Sequence, residues 1–291
     1  MQTFPFKQVD VFTRKPFWGN PVAVVIGAQA LSTEEMQRIA AWTNLSETTF
    51  VLPPSSNAAD YRLRIFSPRQ ELPFAGHPTI GSAHAVIESG FASAREGKLR
   101  QECLAGILDL TVEESERARK IMVEAPPAKV SAIDEVAATI LRRGLGAPFV
   151  SDAPPLRIDV GVVWLVANLG DAGKVASLKP DMNVLTALSG ETQVTGVTVF
   201  GKAADGVSAL HVRSFAPAQG IPEDPVCGSG NASVAAFLIQ NGLLSEFGST
   251  YTARQGMQVG RDGEIAVRIR EGSIEIGGYA VTCVEGSLRT S

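Results

Sequence analysis

Cysteine is scarce in this chain: Cys103, Cys227 and Cys283 are the only three in 291 residues, and none stands at CxxC spacing. An odd count without that spacing argues against a disulfide framework and against a zinc site, and leaves free thiols as the default reading. Charge of one sign is lacking as well. With 26 basic and 30 acidic residues the net charge is −4, which offers no basic footprint to nucleic acid or to an anionic membrane. The longest apolar runs, PVAVVIGA and VGVVWLVANLG, fall well short of the roughly 20 residues that span a bilayer. The first residues, MQTFPFKQVDVFT, have no basic region followed by an apolar stretch and a small-residue cleavage site, so a cytosolic protein without a secretory signal is expected. No low-complexity segment is present. The expected partner is a small molecule, and the length suits one large domain or two of ordinary size.

Against these absences stands a repetition. Residues 215–242 read FAPAQGIPEDPVCGSGNASVAAFLIQNG, and residues 66–90 read FSPRQELPFAGHPTIGSAHAVIESG. Each follows a strand-like run containing an arginine, RLRI and HVRS, and each passes through Phe, a small residue and Pro into an acid-bearing loop. From Gly76 to Gly90 and from Gly228 to Gly242 are 14 positions alike, and the second loop is longer by three. Such an echo reads as an internal duplication of one supersecondary unit, too long and too few for a solenoid. Two halves, each offering a helix start, suggest a shared cleft. A loop opening on a helix suits a small anion, because the first N–H groups of the helix lack internal partners.

In chain order, VDVFT, a turn at FWGN and PVAVVIG predict a hairpin. LSTEEMQRIAAWTN predicts a helix with Ser32 as N-cap and Glu35 completing a capping box. Thr48 to Val51 favour a strand, so Glu47 sits where helix hands over to strand. ADYRLRIFSP predicts a strand, and KLRQECLAGILDLTVEES and RKIMVEAP predict strands joined by a turn. Pro126 and Pro127 mark a boundary, giving halves 1–127, joined by a C-terminal strand at about 279–291, and 128–278. IDEVAATILRRGL is helical, ended by Gly144 and Gly146. LRIDVGVVWLVANL, a helix at KPDMNVLTALSG, then VTGVTVFG and HVRSFAP repeat the rhythm. The tail, with Asp-Gly and Gly-Gly turn signals, predicts a β-meander.

The motifs NLSETTFV, ELPFAGHP and EDPVCGSG, with GNPVAVV at the front, resemble the phenazine-biosynthesis PhzF-like family in order and spacing along essentially the whole chain. The resemblance implies an α+β diaminopimelate-epimerase-like fold: two pseudo-symmetric domains, each a curled, mostly antiparallel sheet around a central helix. It implies an isomerase that moves a proton without metal or organic cofactor on a small carboxylate-bearing substrate, such as trans-2,3-dihydro-3-hydroxyanthranilate, in a homodimer. Glu47 matches the family's proton-shuttling carboxylate, a role that burial favours by raising the pKa toward neutral. His77 matches its active-site histidine, and a helix start favours the neutral ring there. Asp224 and Ser229 match the aspartate and serine of the second half. Ser46, Gly76 and Gly228 join Ser229 as substrate-binding candidates, and His84 and His211, outside any motif, read as structural. Cys227 occupies the place of one catalytic thiol in epimerases and racemases of this fold, while Ala75 fills the matching place in the first half. A passive small residue is the expectation for Cys227, and an amino-acid epimerase or racemase using it is the alternative, beside a silent binding protein.

The approximate GxGxxG of Gly228-Ser-Gly230-Asn-Ala-Ser233 suggests a dinucleotide site only if a parallel strand runs straight into the glycines. Pro222 and Pro225 argue against that.

Overall fold

The computed structural model describes residues 1–115 and 118–290. The turn expected between the strands after Lys98 falls at 116–117, outside the described residues. The chain divides into two compact units, Met1–Glu124 with Gly277–Ser291, and Ala125–Ile276.

In the first unit β1 (Gln2–Val11) and β2 (Asn20–Ile26) form the expected antiparallel hairpin. Helix α1 (Thr33–Thr43) starts at Ser32 with both halves of the capping box in place. Then follow β3 (Thr48–Leu52), β4 (Tyr61–Phe66), the two-residue β5 (Glu71–Leu72) and helix α2 (Gly76–Glu88). Strands β6 (Lys98–Cys103), β7 (Gly106–Ser115) and β8 (Ala118–Glu124) complete this part of the chain. Helix α2 contacts β1, β2, β3, β4 and β8 and is buried on every side from His77 to Val86 except at His84. Its sequence, GHPTIGSAHAVIE, has no charged side chain before Glu88 and no polar face to offer solvent, so the sheet curls around it.

The second unit begins with β9 (Lys129–Ala132), helix α3 (Glu135–Leu145), β10 (Leu156–Asp159) and β11 (Val163–Asp171). It continues through α4 (Ala172–Ser177), α5 (Met182–Thr192), β12 (Gly196–Lys202), β13 (Leu210–Ala216) and β14 (Ile221–Asp224). Helix α6 (Gly228–Gln240), the single-turn α7 (Leu244–Phe247), β15 (Thr250–Gln255) and β16 (Gly263–Arg270) follow. The last strand, β17 (Ser273–Thr290), leaves the second unit and pairs with β1 in the first. Helix α6, GSGNASVAAFLIQ, carries no charge at all and contacts β9, β10, β11, β12 and β16.

The duplication extends through the strand ladder. Pairs β1–β2, β3–β4 and β4–β5 are antiparallel and β2–β3 and β4–β6 parallel, and β10 to β15 repeat those senses in the same order. Helices α2 and α6 have 13 residues each, and each is followed by a left-handed glycine, Gly90 at φ +71 and Gly242 at φ +67. The arginine of each echo finds its acid: Arg64 bonds Glu71 through Nε and Nη2 at 2.7 Å each, and Arg213 bonds Glu223 at 2.9 and 2.8 Å.

Four local expectations change. Glu223 and Asp224 lie on the short strand β14 and not in an open loop, because Pro222 faces a position the ladder with β13 does not need. Gly144 is inside α3, where any Cβ would meet Leu185 at 2.8 Å, and Gly146 alone caps the helix at φ +67. Gly277 and Gly278 make no turn: they run within β17, and a Cβ at Gly277 would stand 2.1 Å from the Ile121 carbonyl oxygen. Helix α4 was not expected at all.

Candidate active site

Glu47 ends the crossover from α1 and immediately precedes β3, whose Thr48 and Thr49 are fully buried. That drives the Glu47 side chain inward until it is only 16% exposed, with Oε2 3.3 Å from His77 Nε2. Burial removes water from the carboxylate and raises its pKa to about 7, and the hydrogen bond from Ser46 acts in the opposite sense by favouring the charged form. His77 is the second residue of α2 and is itself buried, directly after Gly76 at the helix start. Ser46, Glu47, Gly76 and His77 are thus brought together in the first unit. A carboxyl poised near neutrality beside an imidazole can both accept and return a proton.

Asp224, Cys227, Gly228 and Ser229 are brought together in the second unit, around the start of α6. The Asp224 carboxylate accepts from the Val226 N–H at 3.1 Å, forming a tight turn into the helix. Cys227 is the N-cap residue, and its Sγ accepts from the Gly230 N–H at 3.3 Å, the duty a serine or threonine usually performs. Burial, then the nearby Asp224 charge, push its thiol well above the ordinary range, so it stays neutral. The glycines before α6 are entered from β14, which is antiparallel to β13, so no dinucleotide fingerprint is present.

Two partners were invisible in the sequence. The Trp164 indole N–H, on β11, donates to Ser229 Oγ at 3.0 Å. Gln255, fully buried at the end of β15, accepts from the Cys227 N–H at 3.2 Å and from Asn231 Nδ2 at 3.0 Å, and donates to the Asp224 carbonyl at 2.9 Å. These bonds span 65, 28, 24 and 31 residues, so no local pattern announces them.

Registers within each half explain why the acid is unique. Thr48 pairs with Phe66 as Val197 pairs with Phe215, which sets Gly196 in the place of Glu47. A Cβ at Gly196 would stand 2.0 Å from the Phe215 carbonyl oxygen, so no side chain fits there. His84 and His211, expected to be structural, lie elsewhere: His211 bonds Gln258 at 3.2 Å. Among the described residues no cluster of His, Cys, Asp and Glu could hold a metal ion, and no helix is long and apolar enough to cross a membrane.

A family model described as phenazine biosynthesis-like protein (PhzC-PhzF) matches residues 9–286. Antisense-enhancing sequence 1 of Schizosaccharomyces pombe is 42% identical, over 98% of this chain and 99% of its own length. Trans-2,3-dihydro-3-hydroxyanthranilate isomerase of Pseudomonas chlororaphis is 32% identical, over 96% of this chain and 97% of its own. A solved Bacillus anthracis phenazine biosynthesis protein of the PhzF family superposes with a TM-score of 0.87 at 26% identity, covering 100% of both chains.

Proposed function

Since the chain belongs to the phenazine biosynthesis-like (PhzC-PhzF) family, we propose that it is an isomerase that moves a proton on a small carboxylate-bearing molecule without metal or organic cofactor. The observation that carries this reading is Glu47, a carboxyl raised by burial to about 7 and standing 3.3 Å from His77. A group that takes a proton from carbon and returns it elsewhere works best when its pKa lies near the working pH. Glu47 is the shuttle in this reading. His77 and Asp224 position the substrate and assist the transfer, and Ser46, Gly76, Gly228 and Ser229 bind its anionic end, aided by the first N–H groups of α2 and α6. The relative named as an isomerase of trans-2,3-dihydro-3-hydroxyanthranilate makes a compound of that type the first substrate to try. The reading further takes one substrate to be served by residues of both halves, in a cytoplasmic homodimer whose mass light scattering would check.

The thiol alternative has less support, because Cys227 serves as an N-cap and is held neutral, and the corresponding place of the first half is taken by Ala75, which carries no thiol.

The test is proton exchange in D₂O, followed by NMR with dihydro-hydroxyanthranilate and a panel of small amino and hydroxy carboxylates. Wild type should exchange or isomerise one of them, and Glu47→Gln should be slower by about 10²-fold or more, the usual contribution of a positioned acid–base group. Exchange that survives Glu47→Gln but stops in Cys227→Ser would replace this mechanism with thiol chemistry. Binding without turnover of any compound would leave a silent binding protein.

A further inference from the structure

The first unit holds a second group of ionisable side chains, apart from Glu47 and His77. A cavity of about 390 Å³ is lined by Arg14, His84, Glu114, Arg119 and Tyr279, with small apolar residues of β17 between them. His84 follows His77 by seven residues on α2, roughly 10 Å along the helix axis, so the two rings serve different places. A larger cavity of about 570 Å³ beside Phe4 and Phe91 has no ionisable group in its wall and suggests no ligand class.

Both ring nitrogens of His84 are buried without a hydrogen-bond partner. The nearest opposite charge, Glu88 Oε1, is 3.8 Å away, and the other Glu88 oxygen is already taken by Lys7 at 2.9 Å and Thr282 at 2.6 Å. A buried polar group left unsatisfied costs about 1–3 kcal/mol, so one in a side chain that forms part of a cavity wall calls for an explanation. Arg14 has a guanidinium stacked 3.8 Å over the Tyr279 ring, and among the described residues no carboxylate pairs with it. Arg119 uses Nε on Glu114 at 2.9 Å, and Glu114, 61% exposed, is a partner that an incoming anion can displace.

We propose that this cavity binds a small oxyanion, a carboxylate or phosphate group, held by the guanidinium groups of Arg14 and Arg119 with a ring nitrogen of His84 donating. Two guanidiniums against the one carboxylate of Glu114 favour an anion over a cation, and their planar N–H forks fit the oxygens of either anion. The imidazole supplies the third donor and thereby gains the partner it lacks. Burial, then Arg119 and Lys7, lower the His84 pKa against the raising effect of Glu88, so a bound anion should shift it back up.

The chain has only three histidines, which makes NMR of the imidazole protons decisive. The His84 signal is identified by its loss in His84→Asn. Inorganic phosphate and succinate are titrated separately at constant ionic strength. The expected result is a saturable movement of the His84 signal with one or both anions and a rise in its titration midpoint, while the His211 signal stays in place as a control for folding. Arg14→Gln and Arg119→Gln should each weaken binding about tenfold, the loss of one charge-assisted contact. Tighter binding of phosphate assigns the site to phosphate esters, and tighter binding of succinate assigns it to carboxylates. A His84 signal that neither anion moves, or an affinity unchanged in Arg14→Gln, would overturn the proposal. Arg14 lies outside the proposed catalytic set, so Arg14→Gln should keep the proton exchange assigned to Glu47.

Discussion

A carboxyl raised to about 7 by burial answers to pH in two ways, and Glu47 should show both. As the base of the proposed mechanism it must be ionised, so kcat/KM should fall below a midpoint near 7, and the limb should vanish in Glu47→Gln. Stability runs in the other direction. Below its ordinary value of 4.5 the group is protonated whether the chain is folded or not, and the benefit of burying the neutral acid is complete. As pH rises through about 7 that benefit is lost, because the folded protein must then hold a buried charge. The shift corresponds to an effect on the order of 3 kcal/mol. Glu47→Gln should therefore melt higher than wild type at pH 8, with the advantage shrinking by pH 5. A variant less stable than wild type at pH 8 would contradict the burial argument. Trp164 gives a milder case. Its N–H holds Ser229 Oγ, so Trp164→Phe should raise KM roughly three- to tenfold, the value of one neutral hydrogen bond, and leave kcat nearly unchanged. A fall in kcat with KM constant would show that Ser229 does more than bind.

At the scale of elements, the two copies of one supersecondary unit carry the same ion pair at different depths. Arg213 and Glu223 are 5% and 6% exposed, whereas Arg64 and Glu71 are 17% and 20% exposed. Arg213 also donates through Nη1 to the Val175 and Leu178 carbonyls at 3.1 and 3.0 Å, closing the end of α4. Removing one member of a deeply buried pair strands the other charge, which costs about 3–5 kcal/mol. Glu223→Gln should lower the urea midpoint accordingly, and Glu71→Gln should lower it by about half as much or less. Equal losses would mean that water reaches both pairs alike. The arginine and the acid of each copy were readable in the sequence, as were the capping box of α1, the lengths of α2 and α6, and the position of Glu47 at a helix exit. All of these are local patterns. Strand β14 was hidden because its Pro222, with Pro225 just beyond it, read as a loop, and Gly277 read as a turn because close approach of Ile121 leaves no mark near it. Gln255 and Trp164 were hidden for a simpler reason: their partners are far away in sequence and belong to other elements.

On the scale of the whole molecule, the proposed chemistry draws on both halves of a duplicated chain, and the duplication no longer treats them equally. The first half supplies Glu47 and His77, and the second has Gly196 where Glu47 would stand and Ser229 where His77 would stand. The second half supplies Asp224, where the first has Leu72, and caps α6 with Cys227, where the first has Ala75. A pair of independent sites would keep the same residues in each copy. The proposed division of labour would account for the divergence, and it makes a kinetic prediction. Glu47→Gln and Asp224→Asn should each reduce turnover strongly, and the double variant should be little worse than the poorer single one, because groups that act on one transition state are far from additive. Turnover measured for all four proteins under single-turnover conditions decides the point. Fully multiplicative losses would mean that Glu47 and Asp224 act independently, and the second half would then be a binding partner to the chemistry and not a participant in it.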